Sequence, residues 1–259
     1  MLGDRKPHPS LATADTGRAK AWYAEKLGWT PKVELPEVLV YEVDDSTLTV
    51  FPSPNAGTAQ NTVAIWAVRD LRSRVSELKS RGVEFPDFDN EEHDMAGGIH
   101  TDENGVLNAW FQDADGNWIS MIEDPRPSEV DDQVGINLML AASDVPRARD
   151  WYANKLGYAV FHDYGDEEVV MGQGRNRFSI YRAPSGQTAR NTVGMWWVDD
   201  LRAEMADLRA GGVVFEEYDF GDARTVDGVL SDEGGMTAWF KDSEGNILGL
   251  GQYRDLPPD

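Results

Sequence analysis

Cysteine is absent from all 259 residues. Disulfides, thiolate metal sites and a cysteine nucleophile are thereby excluded. Long apolar runs are missing too: no stretch reaches the roughly 20 residues needed to span a bilayer, so no membrane partner is expected. No apolar run follows Met1-Leu2-Gly3-Asp4-Arg5-Lys6, so no signal peptide is expected and the cytoplasm is the default compartment. Positive charge is scarce. With 24 Lys and Arg against 46 Asp and Glu, the net charge is −22. Such a field repels the phosphates of nucleic acids and anionic lipids, which excludes both as expected partners. It favours a cationic small molecule or a basic partner; spread over the whole surface, it also simply keeps a protein soluble. No Gly-x-Ser-x-Gly elbow and no Walker loop occurs, and Gly172-Gln173-Gly174 lacks the third glycine of a dinucleotide fingerprint.

What is present is present twice. Ala21-Trp22-Tyr23-Ala24-Glu25-Lys26-Leu27-Gly28 returns as Asp150-Trp151-Tyr152-Ala153-Asn154-Lys155-Leu156-Gly157. Asn61-Thr62-Val63-Ala64-Ile65-Trp66 returns as Asn191-Thr192-Val193-Gly194-Met195-Trp196. Ala109-Trp110-Phe111-Gln112-Asp113 returns as Ala238-Trp239-Phe240-Lys241-Asp242. The offsets, 151 − 22 = 129 and 191 − 61 = 130, are far longer than the repeats of a solenoid and have the size of a domain. We therefore divide the chain into a first domain (1–124), a polar, proline-bearing linker (125–133) and a second domain (134–259).

Each half carries the same punctuation. Asp15 or Asp144 can cap a helix that ends at Gly28 or Gly157. A hairpin of strands follows, with Asp44-Asp45 at its turn in the first half. A strand over 62–68 or 192–198 leads to a second helix over 71–81 or 201–210. Two last strands flank the turn 113–117 or 242–246, where Asp, Gly and Asn favour a tight reversal. The order is β-α-β-β-β, twice in each half, which makes an α+β protein. The acidic, glycine-bearing loops 87–105 and 216–235 read either as lids or as solvated excursions.

The repeated strand–Asp–helix, the Trp-Tyr-x-x-x-Leu-Gly motif and the Ala-Trp-Phe-x-Asp-x-x-Gly-Asn motif together resemble the vicinal oxygen chelate superfamily. This group holds glyoxalase I, extradiol dioxygenases, and fosfomycin- and bleomycin-resistance proteins. The resemblance spans residues 8–123 and 137–252. It implies tandem βαβββ modules whose curved mixed sheets form a cup around a site. Catalytic members hold a divalent metal with His, Gln or Glu from three strands. Carried onto this chain, those positions fall on His8, Val63 and Ser120, and on Asn137, Val193 and Gly249. Only His8 is a good ligand, and a working site needs about three protein donors. No cofactor is expected, with a divalent metal disfavoured.

Strand alternation sorts the remaining residues. Val63, Ile65 and Ala67 are expected to face the cup with Trp118, Ser120 and Ile122, leaving Trp66 on the helix side. In the copy, Met195 and Trp197 face the cup, with Asn137 and Met139 from the first strand. Tryptophans 22/151, 66/196 and 110/239 occur in both halves and are expected to be scaffold, packed between helix and sheet. Trp118 answers to Ile247 and Trp197 to Ala67, so each is either a wall of a ligand pocket or a filler beside a smaller neighbour. The expected ligand-binding set is His8, Trp118, Ser120, Asn137, Met139 and Trp197. The leading reading is a metal-independent binding protein for an aromatic, cationic small molecule, of the antibiotic-sequestering type. The alternatives are a metal-dependent lyase or dioxygenase using His8, and a non-catalytic scaffold acting through protein contacts.

Overall fold

The computed structural model describes residues 2–35, 38–87, 95–125, 135–186, 188–221, 223–232 and 234–254. The chain divides into two compact units, Pro9–Asn137 and Leu138–Asp259, the latter joined by Met1–His8. Apart from Pro125, the expected linker lies outside the described residues.

The first unit begins with β1 (His8–Thr13), α1 (Thr16–Trp22), β2 (Pro31–Leu35), β3 (Val38–Val43) and β4 (Ser46–Pro52). β1 runs parallel to β4, and β4, β3 and β2 are antiparallel. A second module follows: β5 (Thr62–Ala67), α2 (Leu71–Ser80), β6 (Met95–Ala96), β7 (Ile99–Thr101), β8 (Leu107–Gln112) and β9 (Trp118–Glu123). β5 is parallel to β9, and the rest is an antiparallel meander. The second unit repeats the plan. Its first module is β10 (Gly135–Ala142), α3 (Val145–Trp151), β11 (Val160–Asp163), β12 (Glu168–Gln173) and β13 (Asn176–Arg182). Its second is β14 (Gly194–Trp197), α4 (Leu201–Ala210), β15 (Val229–Ser231), β16 (Gly235–Lys241) and β17 (Ile247–Tyr253). The α+β class and the doubled βαβββ order are as expected; among the described residues the short β6 is the one strand added. Among the described residues no helix is long and apolar enough to cross a membrane.

The repeated motifs turn out to be parts of one buried network. Each of the helices α1–α4 starts at an aspartate whose side chain accepts an N–H three residues on: Asp15, Asp70, Asp144 and Asp200. α1 widens into a single π turn over Tyr23–Leu27, closed by Gly28 at φ 76°, and α3 does the same over Tyr152–Leu156 with Gly157 at 83°. Only a residue tolerant of positive φ closes such a turn cheaply. The buried Tyr23 hydroxyl donates to Asp113 Oδ2 at 2.7 Å. Asp113 Oδ1 accepts the N–H groups of Asp115 and Asn117, and Asn117 Nδ2 donates to Asp113 Oδ2 and to the Ala12 carbonyl. Tyr152, Asp242, Asn246 and Ala141 repeat this arrangement. Helix, first strand and last hairpin of each unit are thus tied together by groups that find no water. Burial pushes both tyrosine hydroxyls well up, aided by the neighbouring aspartate, so each stays a donor. Burial also raises Asp113, and takes Asp242 to about 6, against the pull of their hydrogen bonds.

Candidate functional site

The expected site residues lie on β1, β9, β10 and β14. His8 is buried on β1, two residues before Ser10, which pairs with Thr49 of β4. The Ser10 and Thr49 hydroxyls are buried without a hydrogen-bond partner. Trp118 and Ser120 lie on β9, where Ser120 is opposite Ile65 of β5 and Trp110 of β8. Asn137 and Met139 share a face of β10. Met139 is opposite Ser179 of β13, while Asn137 is buried with its Oδ1 unpartnered. Trp197, on β14, is buried over the glycines of β17.

That last placement decides between wall and filler. Gly251 pairs with Trp197, and a Cβ added at Gly251 would stand 2.6 Å from Trp197 Cζ3. Gly249 is covered in the same way by Met195. The Trp197 ring also meets Tyr253 edge-on at 5.5 Å. Trp197, 5% exposed, fills the space that Gly251 leaves open. Trp118 is different. It is half-buried and lines a cavity of about 490 Å³ with Trp22, Val83, Glu84, Phe85, Pro86, Gln112 and Asp113. The cavity sits where the end of α1, the segment after α2 and the β8–β9 turn converge. Trp22 stacks on Phe111 at 6.5 Å, and Phe85 packs on the same ring at 5.6 Å. Three aromatic side chains therefore border the space, and its charged residues are both acidic. Asp113 is committed to the buried network, which leaves the exposed Glu84 as the available anion.

The second unit alters this place. Ile247 stands for Trp118, Val214 for Glu84 and Lys241 for Gln112. Lys241 pairs with Glu216 at 2.8 Å, so the equivalent wall carries a cation and lacks the third ring.

Two expectations need correction. Trp110 and Trp239 were expected on the helix side, as shared scaffold. Trp110 pairs with Ser120 and Trp239 with Gly249, so both point to the face of those residues. Phe111 and Phe240, in the opposite phase, pack against Trp22 and Trp151. Being shared between the halves did not mean being packed under a helix. Val63 was expected to share a face with Ile65. A register shift lies between Thr62 and Ala64, and beyond it Ile65 stays opposite Ser120 and Ala67 opposite Ile122. Trp66 does lie on the helix side, with Arg74 of α2 over its ring at 5.3 Å. Trp22, Phe85 and Pro86 were missed as site residues. Trp22 and Phe85 recur as Trp151 and Phe215, so a comparison of halves sets them aside as scaffold; only the unshared Trp118 marks the cavity.

A divalent ion would need about three nitrogen or oxygen donors. Among the described residues no three His, Asp or Glu side chains converge. On the His8 face of β1 the next residues are Ser10 and Ala12. This donor set does not fit the metal that the resemblance implies.

Comparison with known proteins agrees with the architecture. Residues 5–121 match the family model of the Glyoxalase/Bleomycin resistance protein/Dioxygenase superfamily. Glyoxalase I from Zea mays superposes with a TM-score of 0.62 at 14% identity, over 95% of this chain and 91% of its own. A variant of that enzyme gives 0.64 at 15%, over 95% and 91%. A proposed dioxygenase from Bacillus subtilis subsp. subtilis strain 168 gives 0.59 at 14%, over 95% and 84%. At these identities the likeness shows the fold. No curated protein matches the chain. The family match thus covers the first half of the chain, and the second half repeats the same βαβββ architecture in tandem.

Proposed function

We propose that this protein binds a small aromatic, cationic molecule in the cavity beside Trp118, without a metal, and acts by sequestering it rather than transforming it. The observation that carries this reading is the wall of the cavity: Trp22, Phe85 and Trp118 with Val83 and Pro86, and Glu84 as its available charge. Aromatic faces attract a cation by about 0.5–2 kcal/mol each, more as water is excluded. Stacking of a planar ligand adds about 0.5–1.5 kcal/mol beyond the area it buries. The net charge of −22 raises the local concentration of such a cation. A cytoplasmic setting fits a chain without cysteine.

The test is a fluorescence titration against a panel of planar aromatic cations and their neutral analogues. Cations should quench tryptophan emission and neutral analogues should do so weakly. Trp118→Ala and Glu84→Gln should each weaken binding about tenfold, which corresponds to about 1.4 kcal/mol. Unchanged affinity in both variants would remove the cavity as the site. About one divalent ion per chain, retained after purification without chelator, would sink the metal-free part of the reading and favour an enzyme using His8.

A further inference from the structure

Between α4 and β15 the second unit carries a hairpin with an aromatic tip. The Glu216 N–H donates to the Trp239 carbonyl at 2.7 Å, which joins the hairpin to β16. The Thr225 N–H donates to the Tyr218 carbonyl at 2.9 Å, and the Phe220 N–H to the Ala223 carbonyl at 2.8 Å. The Thr225 hydroxyl accepts the Tyr218 N–H at 2.8 Å, and the Glu217 carboxylate accepts the Gly228 N–H at 2.7 Å. These bonds fix the backbone from which Tyr218 and Phe220 project, so their rings are placed before any ligand arrives.

Tyr218, Phe220 and Trp239 meet in a corner. Ring centroids lie 5.7 Å apart for Tyr218 and Trp239, 5.9 Å for Phe220 and Trp239, and 5.8 Å for Tyr218 and Phe220. Tyr218 and Phe220 meet the indole at 84° and 63°, so neither ring lies flat on it. Phe220 is 55% exposed and Trp239 is half-buried, which leaves the corner open to solvent. The Trp239 indole N–H is taken by the Thr192 hydroxyl at 3.1 Å. Burial first, and then Glu216, push the Tyr218 hydroxyl up, so it stays neutral. The first half does not repeat the corner: at the offset 220 − 90 = 130, Asn90 stands for Phe220.

The face of an aromatic ring is negative and attracts a cation. Lys and Arg side chains of this chain stand over Trp66, Phe85, Phe161 and Phe215, and among the described residues none stands over the three rings of the corner. The neighbouring acids are engaged. Glu216 pairs with Lys241 at 2.8 Å, Glu217 holds Thr225 and Gly228, and Asp219 accepts the Gly221 N–H at 2.9 Å. A primary ammonium entering the corner would give up its hydrogen bonds to water without replacing them. A fully methylated ammonium has no N–H to satisfy and keeps its charge for the rings.

We propose that Tyr218, Phe220 and Trp239 bind the methylated ammonium head group of a small molecule, at a site that shares no residue with the Trp118 cavity.

The test titrates the full chain with choline, with its uncharged carbon isostere dimethylbutanol and with ethanolamine, followed by NMR at the Trp239 indole N–H. Choline should bind about fivefold tighter than either, the scale of a cation over a partly exposed ring. Phe220→Leu keeps an apolar side chain but removes the ring, and should erase the preference; an unmoved Trp196 indole signal checks that the unit stays folded. Trp118→Ala should leave the preference unchanged. Equal binding of choline and the isostere, or binding of neither, overturns the proposal. So does tighter binding of ethanolamine, which would put the cation on a carboxylate, and so does a preference that survives Phe220→Leu or is lost in Trp118→Ala. A trimethyllysine peptide that binds more tightly than choline would give the corner to a protein side chain and overturn the small molecule.

Discussion

Position for position, the two units solve the same packing problem and then part company. Both tie helix, strand and hairpin together through a buried Tyr–Asp–Asn network. In the second unit the space left by Gly249 and Gly251 is taken by Met195 and Trp197, and Trp196 is fully buried. Asp4 and Arg5 are held beside it by Tyr158, Gln173 and Asn176. In the first unit Ala67 stands for Trp197, the unshared tryptophan is Trp118, half-buried against a cavity, and a second cavity lies beside Trp66. A duplicated domain can thus hold its fold with one set of residues and let the copies differ in how much surface they leave for a ligand. If this contrast is right, the two unshared tryptophans behave oppositely. Trp197→Ala should cost about 3–5 kcal/mol of stability, as for other large-to-small core changes. Trp118→Ala should cost less than about 1 kcal/mol and be felt in binding instead. Chemical denaturation of the two variants measures this, and equal losses would erase the distinction between filler and wall.

The shared network can be compared through its proton. Asp242 has a folded pKa of about 6, raised from 3.8 by burial first. Between those values the folded chain binds more protons at this site than the unfolded chain does. The contribution of Asp242 is therefore fully present below about pH 4 and is lost as pH rises through 6. The shift of about two units sets its ceiling near 3 kcal/mol. Asp242→Asn should flatten the dependence of unfolding free energy on pH between 4 and 6. A carboxyl NMR titration should place the Asp242 midpoint near 6; a midpoint near 4 would show a carboxylate more hydrated than its burial implies.

How far the sequence alone reaches follows from the same residues. The βαβββ order, the aspartate caps Asp15 and Asp144 and the closing glycines are local signals, and each recurs, so a reader meets them twice. The role of Tyr23 and Asp113 was not legible, because their bond joins residues 90 apart. Alternation placed Trp66 on the helix side, under Arg74, and gave no sign of the register shift between Thr62 and Ala64, which no residue type announces. The Trp118 cavity was half legible. Trp118 stood out because its copy is isoleucine, but Phe85 and Trp22 recur in both halves and join the cavity only through the path of the chain after α2. The corner of Tyr218, Phe220 and Trp239 was hidden entirely. Residues 216–235 read only as a lid or a solvated excursion, and nothing in their sequence shows that a hairpin sets Phe220 against Trp239.

The smallest expected effect compares the two units at the backbone of one turn. Asp44 and Gly174 hold nearly the same left-handed φ, 53° and 55°. Gly174 has nothing within 4 Å of an added Cβ, so Gly174→Asp meets backbone strain alone and should cost about 1 kcal/mol. No indole would repay it, since Trp196 already donates to Tyr158. Asp44→Gly relieves the same strain but removes the acceptor of Trp66, a hydrogen bond with a net value of about 0.5–1.5 kcal/mol when intact. Water can reach that indole from the adjoining cavity, so the loss should be mostly made good and the variant should be more stable by about 0.5 kcal/mol. Paired denaturation curves read both changes. A loss of more than about 1 kcal/mol in Asp44→Gly would mean that the aspartate is kept for the indole.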